Sequence, residues 1–282
     1  MKILSLFSSK KIKPLWHHSS KNVLWRVMFS HNGKIIIEDR DTETKSASFS
    51  CLDSTTGKIL WKEKVLGEQW WIGLDGITGT RLYLHGFKKP DMPENKNIIA
   101  VDVSSGEILW RNNESTFLAI DSPFIYGYKD LFERRVYYRI NESDGKTIEE
   151  LISLPEEIDP NSQHEKVDFI LPQSLPKSEV ELWNIVRREI ECTTAEHALI
   201  GKYFLFNAYT PHSDPAKGLK NIFYIIDSAT KKKVYSDVMN EFTPYAVPDS
   251  FFIDKNNNGE DNFFGTLYYI KERKTLVTIQ LS

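Results

Sequence analysis

One pattern of twelve residues occurs twice, 49 positions apart, at residues 51–62 and 100–111. The shared positions are Asp53, Gly57 and Trp61 in the first copy, and Asp102, Gly106 and Trp110 in the second. An apolar segment that favours β structure precedes each Asp, and an apolar segment that ends in Trp follows each Gly. Because Asp accepts hydrogen bonds from N–H groups of a turn and Gly adopts the positive φ that closes it, each copy predicts a strand, a tight turn and a second strand.

A repeat of roughly 50 residues that contains several strands is typical of a β-propeller blade. Weaker copies follow at residues 138–146, 224–231 and 267–274, and the second of these has Lys231 at the position of the glycine. The Trp that ends each strong copy is expected to fill the space between adjacent blades, since aromatic side chains bury a large apolar area.

Several predicted strands carry two adjacent apolar residues, such as Tyr268 and Tyr269. Successive side chains point to opposite faces of a sheet, so these strands need burial on both faces, as in a blade between two others. The sequence therefore predicts an all-β fold, a β-propeller of four-stranded antiparallel blades. The 86 residues from Asn141 to Asp227 fit either two blades or one blade with an insertion near 155–190. We favour the insertion and five blades, and six blades are the alternative.

The chain is expected to form a single domain over residues 1–282, with an N-terminal arm over residues 1–21. Residues 19–26 echo residues 104–111 of the second strong copy. They either begin the first blade or form a return strand that completes the last blade and closes the ring. A propeller needs such closure because an open ring leaves two blade faces unpaired.

Residues 154–191 break the repeat and predict an irregular or partly helical insertion. Ser178 and Glu181 have the spacing of a capping box at a helix N-terminus, and an apolar helical face follows them. An amphipathic segment outside the repeat is not needed to build a blade, so we expect Trp183 to contact a protein partner. Deletion of residues 160–188 is then expected to abolish partner binding and to leave the melting transition unchanged.

Composition excludes some classes of function. The net charge is −3, which argues against nucleic-acid binding because that needs a basic face. No apolar run is long enough to span a membrane, and the apolar start at residues 1–7 is too short for a signal peptide. A cytoplasmic location is expected, in which Cys51 and Cys192 stay reduced and Cys51 serves as a small buried hydrophobe.

The two strong copies resemble the repeat of the pyrroloquinoline-quinone-type (quinoprotein-like) propellers, a superfamily of alcohol dehydrogenases and non-enzymatic scaffolds. The N-terminal half also resembles an uncharacterised bacterial family with propeller-like repeats, which implies no activity. The quinoprotein dehydrogenases are about twice as long and hold a calcium–quinone pair with acidic and Asn ligands. No residue of this chain maps onto a ligand position, so pyrroloquinoline quinone is not expected, because a repeat carries a fold and not a site.

One loop has the composition of a calcium site. Asp254, Asn256, Asn258 and Asn262 place side-chain oxygens at positions 1, 3, 5 and 9, with Gly259 at position 6. Calcium takes six to eight oxygen ligands, and the glycine permits the sharp turn that lets them converge. Only Asp254 among the four is charged, so the predicted affinity is low, and an ordinary Asn- and Gly-rich hairpin turn is the alternative interpretation.

The sequence contains no nucleophile elbow, no phosphate-binding glycine loop and no zinc-protease motif, and its histidines lack metal-ligand spacing. We therefore expect a non-catalytic propeller scaffold that binds a protein partner or a small ligand. The alternative is a carbohydrate-acting hydrolase or lyase at the mouth of the central channel, which would need a pair of carboxyl groups with raised pKa. Trp70 and Trp71 are interpreted as blade packing, with a sugar platform as the less favoured role.

Overall fold

A computed structural model describes residues 11–89, 92–159, 169–214, 218–255 and 264–282 of the protein. These residues form twenty-two β-strands and one α-helix. They divide into two compact units, an N-terminal unit of residues 20–167 and a C-terminal unit of residues 168–282 together with residues 1–19. The single domain expected over residues 1–282 stays a prediction.

The N-terminal unit contains three four-stranded antiparallel sheets, and in each the strands follow one another in chain order. The first sheet consists of β2 (Val23–Phe29), β3 (Lys34–Asp41), β4 (Ser46–Asp53) and β5 (Ile59–Lys64). The second consists of β6 (Ile72–Ile77), β7 (Arg81–Lys89), β8 (Met92–Asp102) and β9 (Ile108–Asn112). The third consists of β10 (Thr116–Asp121), β11 (Phe124–Asp130), β12 (Arg135–Asn141) and β13 (Thr147–Leu151).

The C-terminal unit contains two five-stranded antiparallel sheets and the helix. The fourth sheet has the order β15 (Gln173–Ser174), β16 (Ala195–Ile200), β17 (Tyr203–Pro211), β18 (Leu219–Asp227) and β19 (Lys232–Thr243). The fifth has the order β1 (Trp16–Ser19), β22 (Thr275–Leu281), β21 (Gly265–Lys271), β20 (Phe251–Asp254) and β14 (Phe169–Ile170). The helix is α1 (Val180–Glu189).

The predicted fold class is confirmed: the chain is all-β, and each of its sheets contains the four antiparallel strands of a propeller blade. The described residues form five sheets, which is the blade count that the sequence favoured. The insertion supplies α1 and the two-residue strands β14 and β15, which extend the fifth and fourth sheets.

The segment that echoes the repeat, residues 19–26, begins the first sheet, and the strand before it completes the fifth. Strand β1 pairs with β22, with Trp16 opposite Thr278, and so adds the fourth long strand to the fifth sheet. Strand β2, which begins at Val23, is the first strand of the first sheet. Residues 19–26 therefore lead into the first sheet, whereas the return strand β1 shares only Ser19 with them.

Doubled apolar residues are buried on both faces of their strands, as the pattern predicted. Tyr268 and Tyr269 are 2% and 1% exposed. The ring of Tyr269 lies 5.4 Å from that of Phe223 in the fourth sheet, and the ring of Tyr268 lies 6.3 Å from that of Trp16. Complete burial of such a side chain stabilises a fold by about 1.5–3 kcal/mol, so both faces of the fifth sheet contribute to the stability of the C-terminal unit.

The repeated turns share one backbone geometry even where the glycine is missing. In the first copy the N–H of Gly57 donates to the carbonyl oxygen of Asp53 at 2.9 Å, and φ of Gly57 is 69°. In the fourth copy the N–H of Lys231 donates to the carbonyl oxygen of Asp227 at 2.8 Å, and φ of Lys231 is 54°. Lys231 thus adopts the conformation that a glycine adopts in the strong copies.

The helix of the insertion begins without the predicted capping box. Its first residue is Val180, the preceding residue Glu179 is the N-cap, and no side chain makes a capping hydrogen bond. The apolar face of α1 packs on the fourth sheet, where Ile185 and Val186 join a cluster with Phe204. The helix is therefore held by its tertiary packing, which commonly outweighs local signals at a helix end.

Candidate functional site

The Asp residues of the strong repeats stabilise their own turns. Oδ1 of Asp53 accepts from the N–H and the hydroxyl of Thr56 at 2.8 and 2.7 Å. Oδ1 of Asp102 accepts from the N–H of Ser105 at 2.7 Å. These hydrogen bonds lower the pKa of the Asp53 carboxyl although its partial burial acts in the opposite direction. The two carboxylates are structural acceptors within their turns.

Each repeat Trp packs on the glycine turn of the following sheet. Nε1 of Trp61 donates to the carbonyl oxygen of Val103 at 2.8 Å, and a Cβ atom on Gly106 would lie 2.8 Å from the Trp61 ring. Nε1 of Trp110 donates to the carbonyl oxygen of Glu142 at 3.1 Å. Gly106 is thus required both for its positive φ and for the space that the indole occupies.

Trp183 lies in the core of the C-terminal unit. Its side chain is 4% exposed, and Nε1 donates to the carbonyl oxygen of Pro176 at 3.0 Å. The indole packs in one cluster with Phe204 and Phe206. The side chain therefore anchors α1 to the fourth sheet, and a direct contact between Trp183 and a protein partner stays a prediction.

The predicted calcium loop is described only at its first position. Asp254 is the last residue of β20, whereas Asn256, Asn258 and Asn262 lie outside the described residues. The described part of the chain has no cluster of three or more His, Cys, Asp or Glu side chains that suits a metal ion. The calcium site stays a prediction.

Both cysteines are free thiols. Cys51 is buried in β4, and burial raises the pKa of its thiol to about 12. Burial also raises the pKa of Cys192. A thiol needs to ionise to act as a nucleophile or a metal ligand, so neither cysteine has the environment of a reactive one.

A polar cavity of about 350 Å³ lies in the N-terminal unit. We call it the dyad cavity; it is lined by Arg26, Val27, Met28, Leu74, Asp75, His85, Phe87 and Asn95. The lining comes from β2 of the first sheet and from β6, β7 and β8 of the second. Three charged or titratable side chains and one amide thus meet beside an apolar wall.

Irregular strand pairing positions the polar side chains of the dyad cavity. The register between β6 and β7 shifts at Asp75, and the register between β7 and β8 shifts at His85. A third shift, between β2 and β3, immediately precedes Arg26. Such bulges redirect a side chain out of the regular alternation of a strand, and they are frequent beside functional sites.

Asp75 and His85 form a buried dyad. Nδ1 of His85 lies 2.7 Å from Oδ1 of Asp75, and the two residues are 6% and 5% exposed. Burial raises the pKa of Asp75, although the hydrogen bond and charge of His85 and the charge of Arg26 act in the opposite direction. The second oxygen of Asp75 and Nε2 of His85 are buried and have no hydrogen-bond partner among the described residues. Unpaired buried polar atoms are rare, because each loses its hydration without compensation.

The rest of the dyad cavity offers a cation, an amide and apolar surface. A guanidinium N–H of Arg26 donates to the carbonyl oxygen of Leu74. Nδ2 of Asn95 lies 3.4 Å from Oδ1 of Asp75, at the long end of the hydrogen-bond range. None of the eight lining residues is Ser, Thr, Cys, Lys or Tyr. The arrangement suits recognition of a small polar molecule and lacks a hydroxyl, thiol or amine nucleophile.

A second buried ion pair lies in the first sheet. Nε of Arg40 donates to a carboxylate oxygen of Glu38 at 2.6 Å, and a further N–H donates to the carbonyl oxygen of Trp70 at 3.0 Å. The guanidinium also lies 4.8 Å from the centre of the Trp70 ring, and the ammonium of Lys45 lies 5.1 Å from it. Trp70 is thus engaged by two cations, which agrees with its interpretation as packing.

Two carboxyl groups of the N-terminal unit, Asp39 and Asp75, have a pKa raised by burial. Their side chains bond to different partners, Ser20 and His85. The pair of facing carboxyl groups that a glycosidase requires is not found among these two. The carbohydrate-acting alternative therefore gains no support from the described residues.

The dyad was not predicted from the sequence, in which the histidines show no metal-ligand spacing. A signal was present: Asp75 is the one charged residue of the strand Ile72–Ile77, and His85 is flanked by Leu84 and Gly86 in another apolar run. A lone ionisable residue in a strand buried on both faces needs a partner. That rule shows that Asp75 and His85 each need a partner, but it does not show that they are each other's partner.

A match to one protein family covers part of the N-terminal unit. The model of a family described as "Domain of unknown function (DUF4905)" matches residues 29–110. These residues include β3 to β8 and most of the dyad cavity. No curated protein matches the chain. No helix of the described residues is long and apolar enough to cross a membrane.

Solved structures similar to the chain include BamB from Moraxella catarrhalis, with 9% identity over 94% of this chain and 88% of that one, and a TM-score of 0.33. A quinohemoprotein alcohol dehydrogenase from Comamonas testosteroni has 13% identity and a TM-score of 0.31; the match covers 92% of this chain but 42% of the dehydrogenase. A putative TolB from Agrobacterium tumefaciens has 13% identity over 73% of this chain and 62% of that one, and a TM-score of 0.27.

Proposed function

We propose that the protein is a non-catalytic propeller scaffold that binds a small polar ligand in the dyad cavity. The observation that carries the proposal is the convergence of Arg26, Asp75, His85 and Asn95 on one cavity of about 350 Å³. A ligand with complementary charges and hydrogen-bonding groups would pair with these side chains inside the cavity. Preformed concave sites with a few convergent polar groups are the usual form of a ligand site.

A defined library of small polar metabolites tests this proposal, with thermal melting of the full chain as the measurement. A ligand present at a hundred times its Kd adds about 2.7 kcal/mol of stability, which corresponds to a rise in Tm of about 5–10 °C. Asn95→Phe should fill the dyad cavity and abolish the rise. Asn113→Phe adds the same ring at an exposed site and should leave the rise intact. A library in which no compound raises Tm would refute the proposal.

A protein partner is our second proposal, and it concerns the outward face of α1. Glu181, Asn184, Arg187 and Arg188 are exposed there, while the opposite face of the helix is buried. The guanidinium of Arg187 lies 5.6 Å from the centre of the Trp183 ring, and that of Arg188 donates to the carbonyl oxygen of Asn184. Both side chains are nevertheless exposed, and exposed charged side chains can form the rim of an interface. Trp183 supports such a surface indirectly, because it fixes the helix on the fourth sheet.

Affinity capture with the tagged full chain tests the partner proposal. The double variant Arg187→Glu, Arg188→Glu reverses two charges on exposed side chains and should lose a partner that the wild type retains at near-equal stoichiometry. A control with Lys232→Glu changes an exposed charge on β19 and should retain it. Equal capture by wild type, variant and control would exclude this face of the helix.

A further inference from the structure

Two opposite charges face the dyad cavity from neighbouring sheets. Arg26 projects from β2 and is exposed, whereas Asp75 projects from β6 and is 6% exposed. Asp75 lies within ion-pair distance of His85, and no ion pair joins it to Arg26 in the described part of the chain. The two charges are near enough for Arg26 to act on the ionisation of Asp75. The cavity thus has a positive side at its exposed margin and a negative side in its interior.

The buried side of the cavity has acceptors in excess. Oδ1 of Asp75 takes the hydrogen bond from Nδ1 of His85. When Asp75 is ionised its carboxylate can only accept, so Nδ1 of His85 then carries the proton in this bond. Oδ2 of Asp75 is then an acceptor too, and no residue in the described part of the chain donates to it. A positively charged ligand group with N–H donors complements this carboxylate in charge and in hydrogen bonding.

The exposed side of the cavity needs the opposite chemistry. The guanidinium of Arg26 uses one N–H for the carbonyl oxygen of Leu74 and has five in all. Its planar fork matches a carboxylate, which it can bind through two parallel hydrogen bonds. A carboxylate at this margin would bind where solvent still reaches it, while the donor group of the same ligand enters the buried side.

We infer that the ligand of the dyad cavity is a small zwitterion, an α-amino acid or a close analogue, with its ammonium group at Asp75 and its carboxylate at Arg26. This inference rests on the proposed ligand-binding function of the cavity. Met28, Leu74 and Phe87 supply the apolar wall against which the ligand side chain packs. The volume of about 350 Å³ is at the lower end of the usual range for ligand sites and favours one small molecule.

Calorimetric titration of the full chain at neutral pH, with each of the common L-α-amino acids, tests the ligand class. Every amino acid that binds is compared with its two halves, the amine that lacks the carboxylate and the acid that lacks the amine. Both halves should bind at least about tenfold more weakly, since each loses a charged hydrogen bond. Arg26→Gln should weaken the amino acid at least about tenfold and leave the amine unchanged.

Two further variants complete the test. Asp75→Asn should weaken the amine and the amino acid together. Arg111→Gln removes an Arg that donates to the carbonyl oxygen of Leu66 at 3.2 Å, outside the dyad cavity, and should change nothing. If Asp75→Asn does not fold, Arg26→Gln decides the question, because its side chain is exposed.

The possible outcomes separate this inference from the function on which it rests. Binding of an amino acid that Arg26→Gln weakens and Arg111→Gln preserves supports the inference. Alternatively, no amino acid binds, but a polyol, a nucleotide or a simple acid raises Tm and Asn95→Phe abolishes that rise. This result overturns the ligand class and still supports the dyad cavity as a ligand-binding site. Failure of every compound in both experiments overturns the cavity and the ligand class together.

Discussion

Gly145→Ala is expected to destabilise the N-terminal unit by about 3–5 kcal/mol. Gly145 has φ of 71°, and a side chain in this left-handed region costs about 1–2 kcal/mol. A Cβ atom there would lie 2.4 Å from Cε3 of Trp110, so the indole must move. Its displacement strains the packing by about 1–3 kcal/mol and weakens the bond to the Glu142 carbonyl, which is worth about 1 kcal/mol.

Gly33→Ala is the matched control for this prediction. Gly33 has nearly the same φ, 75°, but its added Cβ would meet only Oγ of Ser54, at 3.2 Å. This variant should lose about 1–2 kcal/mol, from backbone strain alone. Thermal melting followed by tryptophan fluorescence should place Tm of Gly145→Ala about 4–12 °C below that of Gly33→Ala. Equal Tm values for the two variants would show that contact with the Trp110 ring adds nothing to stability.

Four further predictions concern stability and its dependence on pH. Lys231→Gly should raise Tm by a few degrees, because it relieves a positive φ worth about 1 kcal/mol, and a lower Tm would contradict the shared turn geometry. Burial raises the pKa of the Asp75 carboxyl above its ordinary value of 3.8, so the folded protein holds the carboxyl proton more tightly than the unfolded chain does. The free energy of unfolding therefore falls as pH rises from 3.8 through the raised pKa. Asp75→Asn should therefore flatten Tm between acidic and neutral pH, and an unchanged profile would assign the fall to other groups. Trp183→Ala should lower stability by about 3–5 kcal/mol in urea unfolding. Deletion of residues 160–188 should likewise lower Tm, because α1 covers part of the core. The sequence alone predicted an unchanged Tm for this deletion, and that result would contradict the structural argument.

Local chemistry explains why the strong repeats were predicted correctly. The turn after Asp102 depends on residues within five positions of one another, and Ser105 and Gly106 both belong to it. The sequence also predicted the turn that contains Lys231, because Lys231 occupies the glycine position of the repeat. Tertiary structure decides what such a turn contacts. The sequence therefore predicted that Trp110 packs between blades, but not that its ring contacts Gly145.

Distant pairing explains what the sequence did not reveal. The dyad of Asp75 and His85 depends on irregular registers in the second sheet, and no periodic pattern encodes where a strand gains an extra residue. The start of α1 was misplaced because burial of Ile185 and Val186 holds the helix without help from Ser178. Both features arise from packing between segments that are separated along the chain.

The pairing of β1 with β22 has a consequence for the order of folding. During synthesis β1 emerges first and its partner emerges last, so almost the whole chain lies in the loop that this pairing closes. The entropy of closing a loop grows only logarithmically with its length, so the equilibrium cost is modest. The kinetic effect is larger, because contacts between distant segments form late. A circular permutant that carries residues 11–19 after residue 282 would turn this pairing into a local hairpin and should fold faster with the same final sheet.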